Sequence, residues 1–243
     1  MSTLPSHILD HLTEQTRLCI SRLTANGFDK TDISQHPRSA AVLVLLFEKA
    51  GQLRVLLTTR SKQLRTHPGQ TALPGGRKDV TDRDFIETAL REANEEVALP
   101  RHCPNVHLLG ALQPYTTLMG FRVSSVVAFL SDNSILDRLK PNPAEVDRIF
   151  EHPLEGILDP QIVKVDEVST KPDDWPYEQE LFHNYDDEVV PALGNTVYRV
   201  HHFRTTASLV TGLTSDILLD VAEIAYGRLA AFERYTEKRL SGI

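Results

Sequence analysis

The stretch that decides the fold is Leu73–Leu99, with the sequence LPGGRKDVTDRDFIETALREANEEVAL. In its second half, apolar residues recur at offsets of 3, 4, 7 and 11, the spacing of one stripe on an α-helix: Ile86, Ala89, Leu90, Ala93 and Val97. Ahead of them, Gly75-Gly76 favours a tight turn with positive φ and a close backbone approach. Thr81 or Asp82 is suited to cap the helix that follows. The stretch therefore predicts a glycine turn leading into an amphipathic helix.

Three glutamates lie on a different side of this helix. Glu92, Glu95 and Glu96 stand at i, i+3 and i+4, within about 100° of one another. Like charges at this spacing repel, and clustered carboxylates are the ligands that a hard cation such as Mg²⁺ requires. A run of glutamates on a helix is also typical of a solvated face. The residues alone leave a metal site and an exposed acidic face both open.

The glycines, the arginine and the glutamates together resemble the Nudix box of the Nudix hydrolases, G-x5-E-x7-R-E-U-x-E-E-x-G-U, where U is apolar. Three features depart from that pattern. Asp82 stands at the first acidic position, the gap from Asp82 to Arg91 is one residue longer, and Ala98 replaces the last glycine. The longer gap and the aspartate resemble the coenzyme A diphosphatase branch, whose boxes read PGG-x2-D-x2-D before TALRE. The matching residues are Pro74-Gly75-Gly76, Asp79, Asp82 and Thr88-Ala89-Leu90-Arg91-Glu92.

A second match lies in the loop before the box, RSKQLRTHPGQTALPGG at positions 60 to 76. It resembles the other signature of the coenzyme A branch, LLT-x-RS-x3-R-x3-G-x3-FPGG, with Leu73 in place of the usual Phe. The matching positions are Leu56-Leu57-Thr58, Arg60-Ser61, Arg65, Gly69 and Pro74-Gly75-Gly76. Taken alone, the cations Arg60, Lys62 and Arg65 are typical of a solvated loop. The resemblance implies instead that they lie beside bound phosphates, with His67 a further candidate contact.

The resemblance implies a site with four kinds of residue. Mg²⁺ or Mn²⁺ would be held by Glu92, Glu95 and Glu96, with Arg91 orienting these carboxylates. Glu95 or Glu145 would accept the proton of the attacking water, because many Nudix enzymes place a further acid on a loop opposite the box helix. Asp147 and Glu151 are rivals of Glu145. The implied substrate contacts are Arg60, Ser61, Arg65, His67, Gly75 and Gly76.

The activity implied is metal-dependent hydrolysis of the diphosphate linkage of coenzyme A or acyl-CoA. Its products would be 3′,5′-ADP and (acyl-)4′-phosphopantetheine. One alternative is a diphosphatase of oxidised nucleotides such as 8-oxo-dGTP, since the same box serves both and only the upstream loop favours coenzyme A. An alternative from another class is a non-catalytic Nudix-like module that binds a nucleotide. Bound nucleotide without turnover would identify that module, and the intact glutamates argue against it.

Composition narrows the class of protein. The chain has 243 residues, 41% of them hydrophobic, and a net charge of -7, which argues against a broad nucleic-acid surface. Two cysteines without a CxxC motif favour free thiols in a reducing compartment. The sequence contains no apolar run of transmembrane length. We expect an intracellular protein, in cytosol, mitochondrion or peroxisome, that acts on a small molecule and can form a homodimer.

The remaining chain predicts an α/β protein. The apolar runs 41–47 and 53–59 indicate a hairpin, and the first is typical of a strand covered on both faces. Further strands are expected at 106–112, 123–130 and 195–203, and helices at 6–26, capped by Ser6, and from 214 to about 240 with Leu229 in its core stripe. With the resemblance, this implies a Nudix α/β/α sandwich, a mixed sheet between helices. We expect an N-terminal helix and linker at 1–38 and a Nudix domain at 39–243 with an insertion near 158–193.

The sequence argues against a metal site formed by its adjacent histidines. His201 and His202 are adjacent in an expected strand, and successive side chains of a strand point to opposite faces. The pair is therefore not expected to converge on one ion.

Overall fold

The computed structural model describes residues 4–29, 36–163, 175, 177, 182–191 and 194–236. Its helices are α1 (Ser6–Leu9), α2 (Glu14–Asn26), α3 (Phe85–Val97) and α4 (Gly212–Tyr226). Its strands are β1 (Ser39–Lys49), β2 (Gln52–Arg60), β3 (Thr71–Ala72), β4 (Gly75–Arg77), β5 (Val106–Ala111), β6 (Tyr115–Thr116), β7 (Arg122–Leu130), β8 (Val146–Pro153), β9 (His183–Val190), β10 (Thr196–Phe203) and β11 (Val210–Thr211). Short 3₁₀ helices occupy Asn133–Arg138, Leu154–Ile157 and Pro160–Ile162.

The main sheet is mixed. Its path runs β3-β2-β1-β7-β5, with β4 paired to the start of β1, β6 to β7 and β8 to β2. β1 and β7 are parallel, and every other pairing in this sheet is antiparallel. The predicted hairpin is confirmed, because β1 and β2 pair from Leu46↔Val55 to Lys49↔Gln52.

The sheet lies between two helical layers, as expected. Alternate residues of β1 serve two separate cores, since successive side chains of a strand point to opposite faces. Leu43, Leu45 and Phe47 pack with the apolar stripe of α3, whereas Val44 and Leu46 pack on the side of α4 and α2. This explains the nearly continuous apolar run of β1. It also places α3 on one face of the sheet, next to β4.

The two terminal helices differ from the prediction. The N-terminal helix is divided, because α1 ends at Leu9 and a separate helix, α2, is capped by Thr13, whose hydroxyl accepts a hydrogen bond from the Thr16 N–H. The predicted cap, Ser6, is instead the first residue of α1, which follows Pro5. The closing helix ends at Tyr226, since Gly227 adopts a left-handed conformation with φ 63°. Leu229 therefore lies beyond the helix and is 78% exposed, so its assignment to the core stripe was wrong.

Much of the expected insertion at 158–193 lies outside the described residues. The part that is described contains β9, which forms a second sheet in the order β11-β10-β9. A strand at 183–190 was missed because its centre, Asp186-Asp187-Glu188, has low β propensity. The division at residues 38 and 39 stays a prediction. Across the described ranges, no helix combines the length and apolarity needed to cross a membrane.

Candidate active site

The glycine pair forms a strand and not a turn with positive φ. Neither Gly75 nor Gly76 has positive φ, and both pair with β1 as part of β4. What requires glycine is space. A Cβ on Gly76 would lie 2.5 Å from the Glu92 carboxylate, and one on Gly75 would lie 2.5 Å from the Ala41 carbonyl oxygen. The predicted close approach is thus confirmed, and the predicted φ was wrong.

Two of the three helical glutamates are held against β4. The Gly75 N–H donates to Glu96 Oε2 over 3.2 Å, and the Glu96 side chain is buried. Burial raises the pKa of Glu96 to about 8, a direction that Glu92 and Glu145 reinforce and that the Gly75 N–H and Arg60 oppose. Burial also raises the pKa of Glu92, with Arg91 opposing it. Both carboxyl groups are therefore partly removed from water, and the cations Arg91 and Arg60 offset the effect of that burial only in part.

Arg91 is the centre of an ion-pair network. Its guanidinium donates to Asp82 Oδ2 over 3.0 Å and lies 3.0 Å from Glu92 Oε1 and 2.9 Å from Glu95 Oε2. It also donates to the Arg77 carbonyl oxygen over 2.9 Å, which ties it to β4. The hydrogen bonds that Arg91 donates to Asp82 raise the pKa of Arg91, so its charge is permanent. These contacts are those of a residue that orients carboxylates.

Asp82 is the buried partner in that network and does not cap the helix. Burial opposes its ionisation, but the hydrogen bonds from Arg91 and from the Asp79 N–H prevail and lower its pKa to about 2. The cap is Asp84, whose Oδ1 accepts from the Glu87 N–H over 2.8 Å. The sequence Asp84-x-x-Glu87 was a usable signal, since an acid followed three residues later by Glu is typical of a helix start.

Glu145 and Arg60 approach the box helix from two other segments of the chain. Glu145 lies directly before β8, and its charge acts on both Glu92 and Glu96. Arg60 ends β2, and its charge acts on Glu96. The Ser61 N–H donates to the Glu145 carbonyl oxygen over 2.8 Å, so the two segments are joined by their backbones. The fold thus brings the predicted acid and one predicted cation to the carboxylates of α3.

The rivals of Glu145 are placed differently. Glu151 is bound by Lys49 and Arg54, at 2.9 and 3.0 Å, toward the opposite end of β2. Asp147 is exposed on β8, and its charge is not among those that perturb Glu92 or Glu96. The structure therefore favours Glu145 over both.

The predicted substrate loop between β2 and β3 contains residues of two kinds. Ser61 is buried and its hydroxyl accepts from the Gln63 N–H, so its role here is to shape the loop. Arg65 and His67 are exposed and stay candidates for substrate contact, although neither reaches the carboxylates of α3. His67 adopts φ 53°, which is uncommon for a residue with a side chain, and its Nδ1 lies 2.9 Å from Gln70 Oε1.

The predicted metal set is not preassembled. Within the described ranges, no three His, Cys, Asp or Glu side chains converge as a ready metal site. Glu92 and Glu95 face Arg91, whereas Glu96 faces the Gly75 N–H. The donor chemistry nevertheless fits a hard divalent cation, because carboxylate oxygens are the ligands that such a cation prefers and Gly76, which has no Cβ, leaves room for the Glu92 carboxylate next to β4. Glu92, Glu95 and Glu96 are the residues that would hold it.

Comparison with known proteins identifies the family. The family model described as NUDIX domain matches residues 37–190. Nudix hydrolase 15, mitochondrial, of Arabidopsis thaliana is 36% identical over 197 residues, which cover 81% of this chain and 61% of that protein. Nudix hydrolase 22, chloroplastic, of the same plant is 35% identical over 222 residues, covering 90% and 65%. Peroxisomal coenzyme A diphosphatase NUDT7 of Mus musculus is 40% identical over 122 residues, covering 50% of each.

The chain thus spans less than two thirds of the length of the two plant relatives. The family model nevertheless covers most of this chain, including β4, α3, Glu145 and the loop after β2. The chain belongs to the Nudix family.

Proposed function

We propose that this protein hydrolyses the diphosphate linkage of coenzyme A or its thioesters, with Mg²⁺ or Mn²⁺ as cofactor. The observation that carries the proposal is the placement of Arg60. The loop that resembles the coenzyme A signature begins at Arg60, which pairs with Val146 directly after Glu145 and whose charge acts on Glu96 of the box helix. A substrate phosphate held by this cation would lie beside the carboxylates of α3.

The chain's own groups divide the reaction between them. A divalent cation held by Glu92, Glu95 and Glu96 would neutralise the diphosphate and make water easier to deprotonate. Glu145 or Glu95 takes a proton from the attacking water, whose oxygen bonds to phosphorus, while the bond from phosphorus to the bridging oxygen breaks and that oxygen leaves with the other phosphate. Arg60 and Arg65 donate charge-assisted hydrogen bonds to the phosphates. Arg91 keeps Glu92 and Glu95 in place.

The structure supports Glu145 over Glu95 as the proton acceptor. Glu95 is engaged by Arg91, whereas Glu145 has no ion-pair partner in the described part of the chain. The Glu95 oxygen that Arg91 holds is occupied and is not available to accept a proton from water. Glu145→Gln is therefore expected to lower kcat more than Glu95→Gln does.

The test separates substrate classes. Purified protein with Mg²⁺ is incubated separately with coenzyme A and with 8-oxo-dGTP, and products are identified by mass spectrometry. We expect 3′,5′-ADP and 4′-phosphopantetheine from coenzyme A. Turnover of the oxidised nucleotide alone would overturn the substrate assignment and keep the metal chemistry. Binding of either compound without turnover would identify a non-catalytic module.

A further inference from the structure

A cluster of buried hydroxyl groups lies beneath the substrate loop and belongs to none of the motifs. The Ser208 hydroxyl lies 2.8 Å from Thr59 Oγ1 and 2.7 Å from Thr71 Oγ1. The Ser208 carbonyl oxygen accepts from the hydroxyls of Thr71 and Thr205, over 2.9 and 2.8 Å. All four side chains are buried. Buried hydroxyls stay paired because an orphaned one loses its hydrogen bonds to water without replacement.

The Ser208 hydroxyl is the shared member of these contacts. Thr71 Oγ1 lies within hydrogen-bond distance of both the Ser208 carbonyl oxygen, which can only accept, and the Ser208 hydroxyl. Thr59 Oγ1 lies within hydrogen-bond distance of the Ser208 hydroxyl, and either atom can be the donor. The Ser208 side chain therefore pairs with both threonines at once.

The cluster holds both legs of the substrate loop. Thr59 directly precedes Arg60, and Thr71 directly follows Gln70. Next to these two threonines the main chain closes the loop, because the Arg60 N–H donates to the Gln70 carbonyl oxygen over 2.9 Å. Ser208, which comes from the segment between β10 and β11, is thus the one side chain in the cluster that touches the strand on either side of the loop.

The orientation of Arg60 depends on this base. Among the described residues, its buried Nε has no hydrogen-bond partner, so no side-chain bond at that atom fixes the guanidinium. Its position therefore follows from the backbone of β2, which pairs with β3 and β8 and which the Ser208 hydroxyl contacts through the Thr59 side chain. A shift of this base would move the cation relative to Glu96.

We propose that Ser208 is a positioning residue, which sets the place of Arg60 and thereby the affinity for the substrate diphosphate. The inference rests on the proposed function only in its choice of substrate, because Arg60 would meet the phosphates of any diphosphate. Removing the hydroxyl is expected to weaken ground-state and transition-state binding alike. Such a loss raises KM and leaves kcat nearly unchanged.

The experiment measures kcat and KM for coenzyme A in Ser208→Ala. We expect KM to rise about tenfold, the size of one lost charge-assisted contact, while kcat stays within about twofold. The matched control is Ser215→Ala, another buried serine, whose hydroxyl donates only to the Gly212 carbonyl oxygen within α4. The control should leave KM unchanged. A folded Ser208→Ala variant with the wild-type KM would overturn the inference.

A double-mutant cycle distinguishes positioning from a general structural effect. If Ser208 acts through Arg60, then Ser208→Ala added to Arg60→Gln should raise KM by less than about twofold further. A full second tenfold rise would show that Ser208 acts elsewhere and would overturn the proposal.

A conservative pair covers the case in which Ser208→Ala does not fold. Thr59→Val keeps the shape of the threonine side chain but removes its hydroxyl, whereas Thr59→Ser keeps the hydroxyl. The valine variant should show the raised KM and the serine variant should restore it, and equal KM values in the two would contradict the proposal. Should the wild type hydrolyse 8-oxo-dGTP and leave coenzyme A intact, only the substrate assignment fails, and the same comparison is then made with the nucleotide.

Discussion

At the level of single residues, the adjacent glycines Gly75 and Gly76 have different surroundings. Gly75 faces main-chain atoms of β1, whereas Gly76 faces the mobile end of a side chain, the Glu92 carboxylate. Main-chain atoms cannot move aside without disrupting the pairing of β4 with β1. A carboxylate can rotate away, but then it leaves the site. Gly75 is therefore needed for the pairing of β4 with β1, and Gly76 is needed for the position of the Glu92 carboxylate.

Alanine substitutions should separate these roles. Gly75→Ala is expected to lower the free energy of unfolding by about 3 kcal/mol, as overpacking does. Gly76→Ala should cost about 1 kcal/mol or less, because Glu92 can turn away, yet it should lower kcat/KM at least about a hundredfold. Urea unfolding and steady-state kinetics on both variants test this. Equal stability losses in the two variants, or an active Gly76→Ala enzyme, would contradict the assignment.

At the scale of elements, the end of α3 explains one departure from the family pattern. Ala98 stands where the Nudix box usually has glycine, and it adopts φ 60° and ψ 27° at the C-terminus of the helix. Its N–H donates to the carbonyl oxygens of Ala93 and Asn94. A left-handed residue with a Cβ is strained by about 1 kcal/mol, so the pattern's glycine reflects this backbone turn and not chemistry.

Ala98→Gly should therefore raise the free energy of unfolding by up to about 1 kcal/mol and leave the kinetic constants unchanged. Ala98→Val is the opposite control, because a β-branched residue fits the left-handed region worse than alanine. Thermal unfolding of the two variants should shift in opposite directions. A destabilised Ala98→Gly variant would show that the helix end is not strained.

The elements also show what the sequence could reveal. Periodicity located α3 and the hairpin, since the burial of their apolar residues repeats with the geometry of each element. It failed at helix ends, where Thr13, Asp84 and Gly227 decide the boundary through single hydrogen bonds or one positive φ. Periodicity also could not predict contacts between residues that are distant in the sequence. Nothing local to Ser208 indicates that its hydroxyl meets Thr59 and Thr71.

At the scale of the whole molecule, buried histidines link stability to pH. His152 in β8 is buried and His183 in β9 is partly buried, and this burial lowers the pKa of each to about 3, with nearby charges contributing in each case. In the unfolded chain the usual pKa is about 6.5. Below that pH the unfolded state binds more protons than the folded state, so acid favours unfolding.

The free energy of unfolding should therefore fall as pH decreases from about 6.5 toward 3, by up to about 1.4 kcal/mol per pH unit for each histidine. In His152→Leu one contribution disappears, and the dependence between pH 7 and 5 should be shallower. Urea titrations at several pH values measure the slope. An unchanged slope in the variant would show that His152 is protonated in the folded protein.

We propose that the carboxylates of α3 hold the cation that drives hydrolysis of a coenzyme A diphosphate. The most direct measurement is the release of 3′,5′-ADP from coenzyme A by wild type and Glu96→Gln, each with Mg²⁺ and with excess chelator. Glu87→Gln is the matched control, because Glu87 lies in the first turn of the same helix, is partly exposed and accepts from Arg83. We expect Mg²⁺-dependent release from wild type and control, and a loss of at least about a hundredfold in Glu96→Gln without loss of stability. Chelator-resistant release, or a folded and fully active Glu96→Gln variant, would contradict the claim.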